Sequence, residues 1–453
     1  MKLLFIHQNF PAQYFHIALH YAADPANTVV AVGEAANLRQ RQALPGVIYL
    51  GYDLPPAAQA PNAHTHHYVR RHEMNVRRGQ AVARLLAQMR EQGFDPDVIC
   101  VHPDWGEALF IRLIWPQAPI LAYAEHYDDP NGPLLDFDPA FPATPDMRCM
   151  ALAANATRAI SFADATHLQT PTRFQWQKLP PVFRAHASLL YDGINTRAFR
   201  PDPAAALVLA AQATAPARGA GGEYDDAFAA APLPAWFPMR QTALKLTRAE
   251  PVVTFISRTL EPFMGWPAFA RAIPLIQAQC PQAHFVIVGR TSDGYGPPPP
   301  NDANWRDLYL EEIRDRADLP RLHFLGTVTP EVICHVLALS RAHVYLVYPF
   351  SLSYSPVEAM SSAAPLVLSD TAPAREIADD GVEALFVDFH SPEAIAEAVL
   401  RLLRDPALAA RLGQAARARA LARYGRDVWL PRWKGVIETL ARGETPGKCD
   451  PRL

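Results

Sequence analysis

Short apolar runs without alternation recur along the chain, each ending in polar residues and each followed by a stretch with helical spacing. The runs Val344-Tyr345-Leu346-Val347-Tyr348-Pro349 and Pro365-Leu366-Val367-Leu368 read as strands covered on both faces. Between them Ser355, Pro356 and Glu358 mark a helix start, so the stretch from Val344 to Asp370 predicts strand, loop, helix and strand. A turn of this kind aims backbone N–H groups past the strand ends, where an anion fits.

From the N-terminus, the same pattern predicts strands over 2–7 and 28–33 flanking a helix that begins near Pro11. The first turn of this βαβ unit, HQNFPAQ, lacks the glycines of a dinucleotide fingerprint. A helix over 77–92 and strands over 96–101 and 120–124 follow, and His102, Asp104 and Glu125 stand where those two strands stop. The carboxyl ends of an open parallel sheet line the ligand crevice, which makes the three candidates for acid–base chemistry. The alternative is that His102 and Asp104 only close a turn, Asp104 capping the next helix. A strand over 159–161, a helix beginning within TPTRFQ and the segment SLLYDGIN complete a first domain.

A second βα series has strands over 252–256, 284–289 and 323–326, with helices over 267–279 and 308–318. Ser257 and Arg258 leave the first of these strands at its carboxyl end. The two strands described first come next, then one or two helices over 392–423 and a last helix near 428–441. Residues 201–240, rich in Ala, Pro and Gly, predict a long surface insertion with little regular structure. The fold class is therefore α/β, with two doubly wound domains and a ligand at their strand ends, most naturally anionic and nucleotide-like.

Composition narrows this. Half of the 453 residues are hydrophobic, enough for two or three domains of a soluble globular protein. A formal net charge of −3 gives no general attraction to nucleic acid or anionic lipid, so an anion site must be built locally. Cys100, Cys149, Cys280, Cys334 and Cys449 are scattered without CxxC spacing, which suits a reducing compartment and hence the cytoplasm. MKLLFI ends too early for a signal peptide, and no run approaches the roughly 18 apolar residues of a spanning helix. His64, His66, His67 and His72, with Arg70, Arg71, Arg77 and Arg78, lack further ligands at metal spacing. They read as a solvated approach to a helix rather than as a metal or membrane site.

Taken together the motifs resemble glycosyltransferase family 4, whose members have the GT-B fold and move a sugar from a nucleotide diphosphate sugar to an acceptor with retention at the anomeric carbon. In the first domain the likeness rests on LLFIHQNFPAQYFHIA, FDPDVICVHPDWGEALF, YAEHY, TPTRFQ and YDGINTRAFRP. In the second it rests on TFISRTLEPFMGWPAFARAIP, FVIVGR, LHFLGTV and VYLVYPFSLSYSPVEAMSSAAPLVLSDTAPAREI. The resemblance implies two Rossmann-like domains: an acceptor domain over 1–196, an insertion and linker over 197–246, a nucleotide-sugar domain over 247–424, and a segment 425–453 whose helix crosses back to the first domain.

It also implies roles. Glu358 matches the carboxylate that accepts both ribose hydroxyls, Arg258 the arginine at the donor diphosphate, and the amides of Ser353, Tyr354 and Ser355 those at the phosphates, with Gly289 and Gly326 in the same donor set. His102, with Asp104 and Glu125 beside it, matches a group near the transferred sugar. The donor would be a UDP- or GDP-sugar, with no tightly bound cofactor and no metal, the leaving diphosphate being stabilised by fixed cations and N–H donors. The acceptor would be a glycan or lipid-linked molecule in bacterial cell-surface glycan assembly, with peripheral contact at the inner membrane face in reach and nucleic acid excluded.

The chain departs from the family at three points. Phe350 stands where the first motif glutamate is expected, eight residues before Glu358. Met264 replaces the basic residue before Gly265, and Ala363-Ala364 replace small glycines. Arg173 or Arg290 is the candidate for the missing cation. Read without the family, Ser355-Pro356-Val357-Glu358 is a capping box. The departures keep open a sugar-nucleotide or glycan binding protein without turnover, and, more weakly, sugar-nucleotide epimerisation.

Overall fold

In a computed structural model of the chain, residues 1–54, 64–211, 232–291, 294–296 and 298–447 are described, the side chain of Asp302 excepted. They form two compact units, Met1–Gly193 with Arg426–Leu453, and Ile194–Gly425.

The first unit is built on seven strands: β1 (Lys2–Ile6), β2 (Thr28–Glu34), β3 (Val47–Tyr52), β4 (Val98–Val101), β5 (Ile120–Tyr123), β6 (His167–Thr170) and β7 (Ala187–Leu189). All pair in parallel in the order β3-β2-β1-β4-β5-β6-β7, so the winding reverses between β1 and β4. Leu3, Leu4, Phe5 and Ile6 have no exposed surface, which is why β1 shows no alternation: both faces are covered. Leu4, Ile6, Val30, Val32, Ile99 and Val101 share one core with Val82 and Leu86 of the helix Arg70–Glu91.

The second unit repeats the plan with β10 (Val252–Thr259), β11 (His284–Arg290), β12 (Leu322–Gly326), β13 (Ala342–Tyr345), β14 (Leu366–Ser369) and β15 (Ala384–Val387), after a separate antiparallel pair, β8 (Ala206–Leu209) and β9 (Leu244–Thr247). The parallel order is β12-β11-β10-β13-β14-β15, reversing between β10 and β13. The final helix, Arg426–Ala441, belongs to the first unit. Trp433 and Ile437 are buried there, and the Trp433 indole donates to the Tyr191 carbonyl at 3.1 Å.

Several expectations change. Residues 159–161 are not a strand but lie inside the helix Ala156–Asp164, and the helix expected from 77 begins at Arg70. The 197–246 segment falls within the second unit; of residues 201–240, Ala206–Leu209 form β8, which pairs with β9 beyond them, and residues 212–231 lie outside the described residues, as does Cys449. Among the described residues, no helix is long and apolar enough to cross a membrane.

Candidate functional site

Each sheet reverses its winding at one place; His102 and Asp104 follow β4 and Arg258 lies at the end of β10 beside those reversals, and Glu125 follows the next strand, β5. In the first unit β1 delivers His7 and β4 delivers His102, their rings 5.1 Å apart and edge to face. His102 has no exposed surface and lies between the faces of Trp105, at 4.6 Å, and Tyr123, at 5.0 Å. This packing fixes the ring plane and aims Nε2 at Glu125 Oε2, 3.0 Å away. Burial works against a charged His102, but the hydrogen bond with Glu125 and the carboxylates of Asp104 and Glu107 outweigh it, so its pKa lies above the ordinary 6.5. For Glu125 burial works upward, yet His102 and His126 hold its carboxyl below the usual range. Both shifts run in the direction that favours the ion pair.

Asp104 serves a different partner. Its Oδ1 receives Arg158 Nε at 3.0 Å, while Arg158 Nη1 reaches Asp128 at 2.8 Å. Both Asp104 and Arg158 are buried, and despite burial Arg158 and two histidines keep the Asp104 carboxyl far below its ordinary value. Asp104 therefore does not cap a helix. Gly106, at φ +100, lets this turn close on Asn75, whose carbonyl would lie 2.0 Å from any Cβ there. One potential ligand atom each of His102, Asp104 and Glu125 lies within 4.8 Å of the others, so this trio, and not the His64–His72 segment, is the group that could hold a metal among the described residues. A cation there would compete with the Arg158 guanidinium for Asp104.

His7 was not singled out from sequence, although it ends a strand just as His102 does. Its Nδ1 accepts the Asn9 amide at 2.9 Å, and burial with the neighbouring His102 pushes its pKa well down. Glu107 is likewise buried, held by the Tyr52 hydroxyl at 3.0 Å, and burial raises its pKa.

In the second unit Arg258 leaves β10 exposed, its Nη1 donating to the Tyr295 hydroxyl at 2.5 Å. Gly289 is the next-to-last residue of β11, and a Cβ there would meet Leu260 Cδ2 at 2.9 Å and the Ser257 carbonyl at 3.1 Å. Gly326 ends β12 with a left-handed φ of +65. Met264 is buried, in a turn where Gly265, at φ +73, packs against Leu346. Arg173 begins a helix in the first unit, whereas Arg290 ends β11 in the second.

The helix Ser355–Ser361 follows β13. Its N-cap is Tyr354, without a side-chain cap, and the Glu358 amide bonds to the Tyr354 carbonyl at 2.9 Å. Ser355 is thus one position too far into the helix for the capping box, and its Oγ is buried without a partner among the described residues. The half-buried Glu358 carboxylate has no hydrogen bond or ion pair among the described residues, and burial raises its pKa to about 7. The Ser353 hydroxyl and amide face the Tyr345 hydroxyl at 3.2 and 3.4 Å. Arg258 and Glu358 do not touch; Tyr295 lies against Arg258 and, ring to ring at 5.2 Å, against Phe350.

Two family models match: residues 25–199 match a glycosyl transferase family 4 group, and residues 250–405 match glycosyl transferases group 1. Phosphatidyl-myo-inositol mannosyltransferases of Mycobacterium leprae and Mycolicibacterium smegmatis are 28% and 29% identical over 42% of the chain. The matched stretch spans only 46% and 45% of the length of these curated relatives. Among solved structures, sucrose-phosphate synthase from Thermosynechococcus elongatus aligns over 98% of this chain and 100% of its own at TM-score 0.66 and 15% identity. Anabaena HepE in complex with UDP-glucose aligns over 97% and 100% at TM-score 0.60 and 16% identity.

Proposed function

The chain belongs to glycosyltransferase family 4 and has its GT-B architecture of two Rossmann-like units, and from that footing we propose that it transfers a sugar from a nucleotide diphosphate sugar to a hydroxyl acceptor with retention at the anomeric carbon. The observation that carries this reading is Glu358, a half-buried carboxylate without a partner among the described residues, its pKa raised by burial to about 7 at the first turn of a helix beside the winding reversal. Two vicinal ribose hydroxyls satisfy such a group, and charge-assisted bonds of that kind are strong.

In this reading Arg258 and the amides of Ser353, Tyr354 and Ser355 meet the diphosphate, and Gly289 and Gly326 keep the strand ends open for the nucleotide. The bond from the anomeric carbon to the diphosphate breaks, the acceptor oxygen attaches on the same face, and the acceptor proton passes to the departing phosphate oxygen. Charge grows on the leaving group, so a fixed guanidinium and N–H donors lower the barrier. His102, paired with Glu125, is the group that the family resemblance assigns to the transferred sugar, while Asp104 and Arg158 fix the turn that carries it. With Met264 in place of a second cation, the site lacks a contribution of a few kcal/mol unless another supplies it; Arg290, on the same unit as Arg258, is our candidate rather than Arg173.

A UDP-sugar donor has the support of the HepE complex, and a mannosyl donor that of the mycobacterial relatives. We further propose a metal-independent, cytoplasmic bacterial enzyme of cell-surface glycan assembly whose acceptor is a glycan or a lipid-linked molecule, reached by peripheral contact with the inner membrane face. The test is a transfer assay with UDP- and GDP-sugars and lysate acceptors, run with and without EDTA, with the anomer of the product read by NMR. Retained configuration and activity in EDTA are expected; inversion contradicts the mechanism. Phe350 and Met264 favour one other reading, a sugar-nucleotide binding protein, which donor binding without transfer or hydrolysis would select.

A further inference from the structure

Glu261 is a carboxylate with 2% exposure that the proposed reaction leaves unused. It stands two residues beyond the end of β10. Its Oε1 accepts the Thr259 hydroxyl at 2.5 Å and the Tyr295 amide at 2.9 Å, and its Oε2 accepts the Gly296 amide at 2.9 Å. Three neutral donors hold this buried carboxyl group, and among the described residues two loop amides and a hydroxyl, and no cation, take the place of its water. The loop is shaped to this carboxylate: a Cβ on Gly294 would lie 2.0 Å from Oε2, and one on Gly296 would lie 3.2 Å from it.

The consequence is that the backbone of Tyr295, whose side chain is 44% exposed, is anchored. Its hydroxyl accepts from Arg258 Nη1 at 2.5 Å, and the guanidinium carbon lies 5.2 Å from its ring centroid. The Phe350 ring also lies against it, with centroids 5.2 Å apart. Among the described residues Tyr295 is the one hydrogen-bond partner of the Arg258 side chain. A guanidinium carries five N–H groups in a rigid fork, so one is taken and four are left for an anion. An exposed arginine without a partner pays rotamer entropy when a ligand orders it, and a residue that orders it beforehand removes part of that cost.

We propose that Glu261 and Tyr295 form a positioning relay, in which Glu261 fixes the Gly294–Gly296 loop and Tyr295 holds the Arg258 guanidinium oriented to receive a nucleoside diphosphate. The relay rests on the reading of Arg258 as the diphosphate group. Neither relay residue contacts the reacting atoms; both act through Arg258.

The experiment is calorimetric titration of UDP and GDP, with uridine and guanosine as phosphate-free controls, into the wild type, Tyr295→Phe, Glu261→Gln, Arg258→Ala and the double variant Tyr295→Phe/Arg258→Ala. Tyr295→Phe removes one oxygen from a side chain that bears no core, so it folds as the wild type does. It weakens diphosphate binding about threefold to tenfold, Glu261→Gln at least as much, and neither changes nucleoside binding. In the Arg258→Ala background the Tyr295→Phe loss disappears, because both changes act on one contact. Full diphosphate affinity in Tyr295→Phe, an equal loss on the nucleosides, or a loss that adds to that of Arg258→Ala overturns the relay. Full affinity in Arg258→Ala alone is a separate failure, that of the underlying diphosphate assignment.

Discussion

At the scale of single residues, Glu358 gives the account its pH dependence. Its folded pKa of about 7 lies above the ordinary 4.5, so the free protein favours the protonated form and loses stability as pH rises through that interval. A ribose diol selects the ionised form. Nucleotide affinity therefore rises up to about tenfold between pH 6 and pH 8, and titrations of UDP and GDP across that range lose the dependence in Glu358→Gln. Ala363 makes a different prediction. It ends the Ser355–Ser361 helix with φ +53, a region that costs an L-residue about 1 kcal/mol; Ala363→Gly should raise stability by up to about 1 kcal/mol, read in a denaturant melt. What sequence could give at this scale was uneven. The position of Glu358 on a first helical turn was legible, but the capping box was one residue out of register, because Tyr354 takes the cap. His7 and Tyr295 were not legible as site residues, since their significance lies in the neighbours that folding brings to them.

At the scale of elements, the helix Ala156–Asp164 matters through Arg158, whose guanidinium joins Asp104 after β4 to Asp128 after β5. Replacing it by Met leaves Asp104 buried without its counter-charge and costs about 3–5 kcal/mol. Asp104 also has a folded pKa below its ordinary 3.8, so the stability it contributes is present above that value and lost as pH falls. In Arg158→Met acid unfolding should accordingly begin at higher pH, which circular dichroism against pH would follow. This helix was misread as a strand at 159–161 because three residues carry no period; its buried Thr157, Arg158, Ser161 and Phe162 mark one helical face only over a longer window. The true strand, β6, hid for the opposite reason. It is fully buried yet carries His167, bonded to the Ser188 hydroxyl at 2.8 Å, and Gln169, whose Nε2 donates to the Leu190 carbonyl at 2.7 Å, and a hydrophobic pattern cannot reveal a polar strand.

At the scale of the whole molecule, two parallel sheets were legible from their unalternating apolar runs, and so was the return of the last helix to the first unit, which the family resemblance carried. The close passage of Gly193, at φ +78, against Arg426 shows where the chain leaves that unit and comes back. Trp433→Ala, which empties a buried site and leaves the Tyr191 carbonyl without its donor, should cost about 3–5 kcal/mol. Hydrogen exchange should then quicken in β1 and β4 and stay unchanged in β10–β15. The central claim, that the second unit binds a nucleotide diphosphate through Glu358, is tested most directly by calorimetric titration of UDP and GDP into the wild type and Glu358→Ala. The account predicts that one of the two nucleotides binds the wild type and loses about tenfold or more in affinity in the variant; equal affinity in both proteins would contradict it.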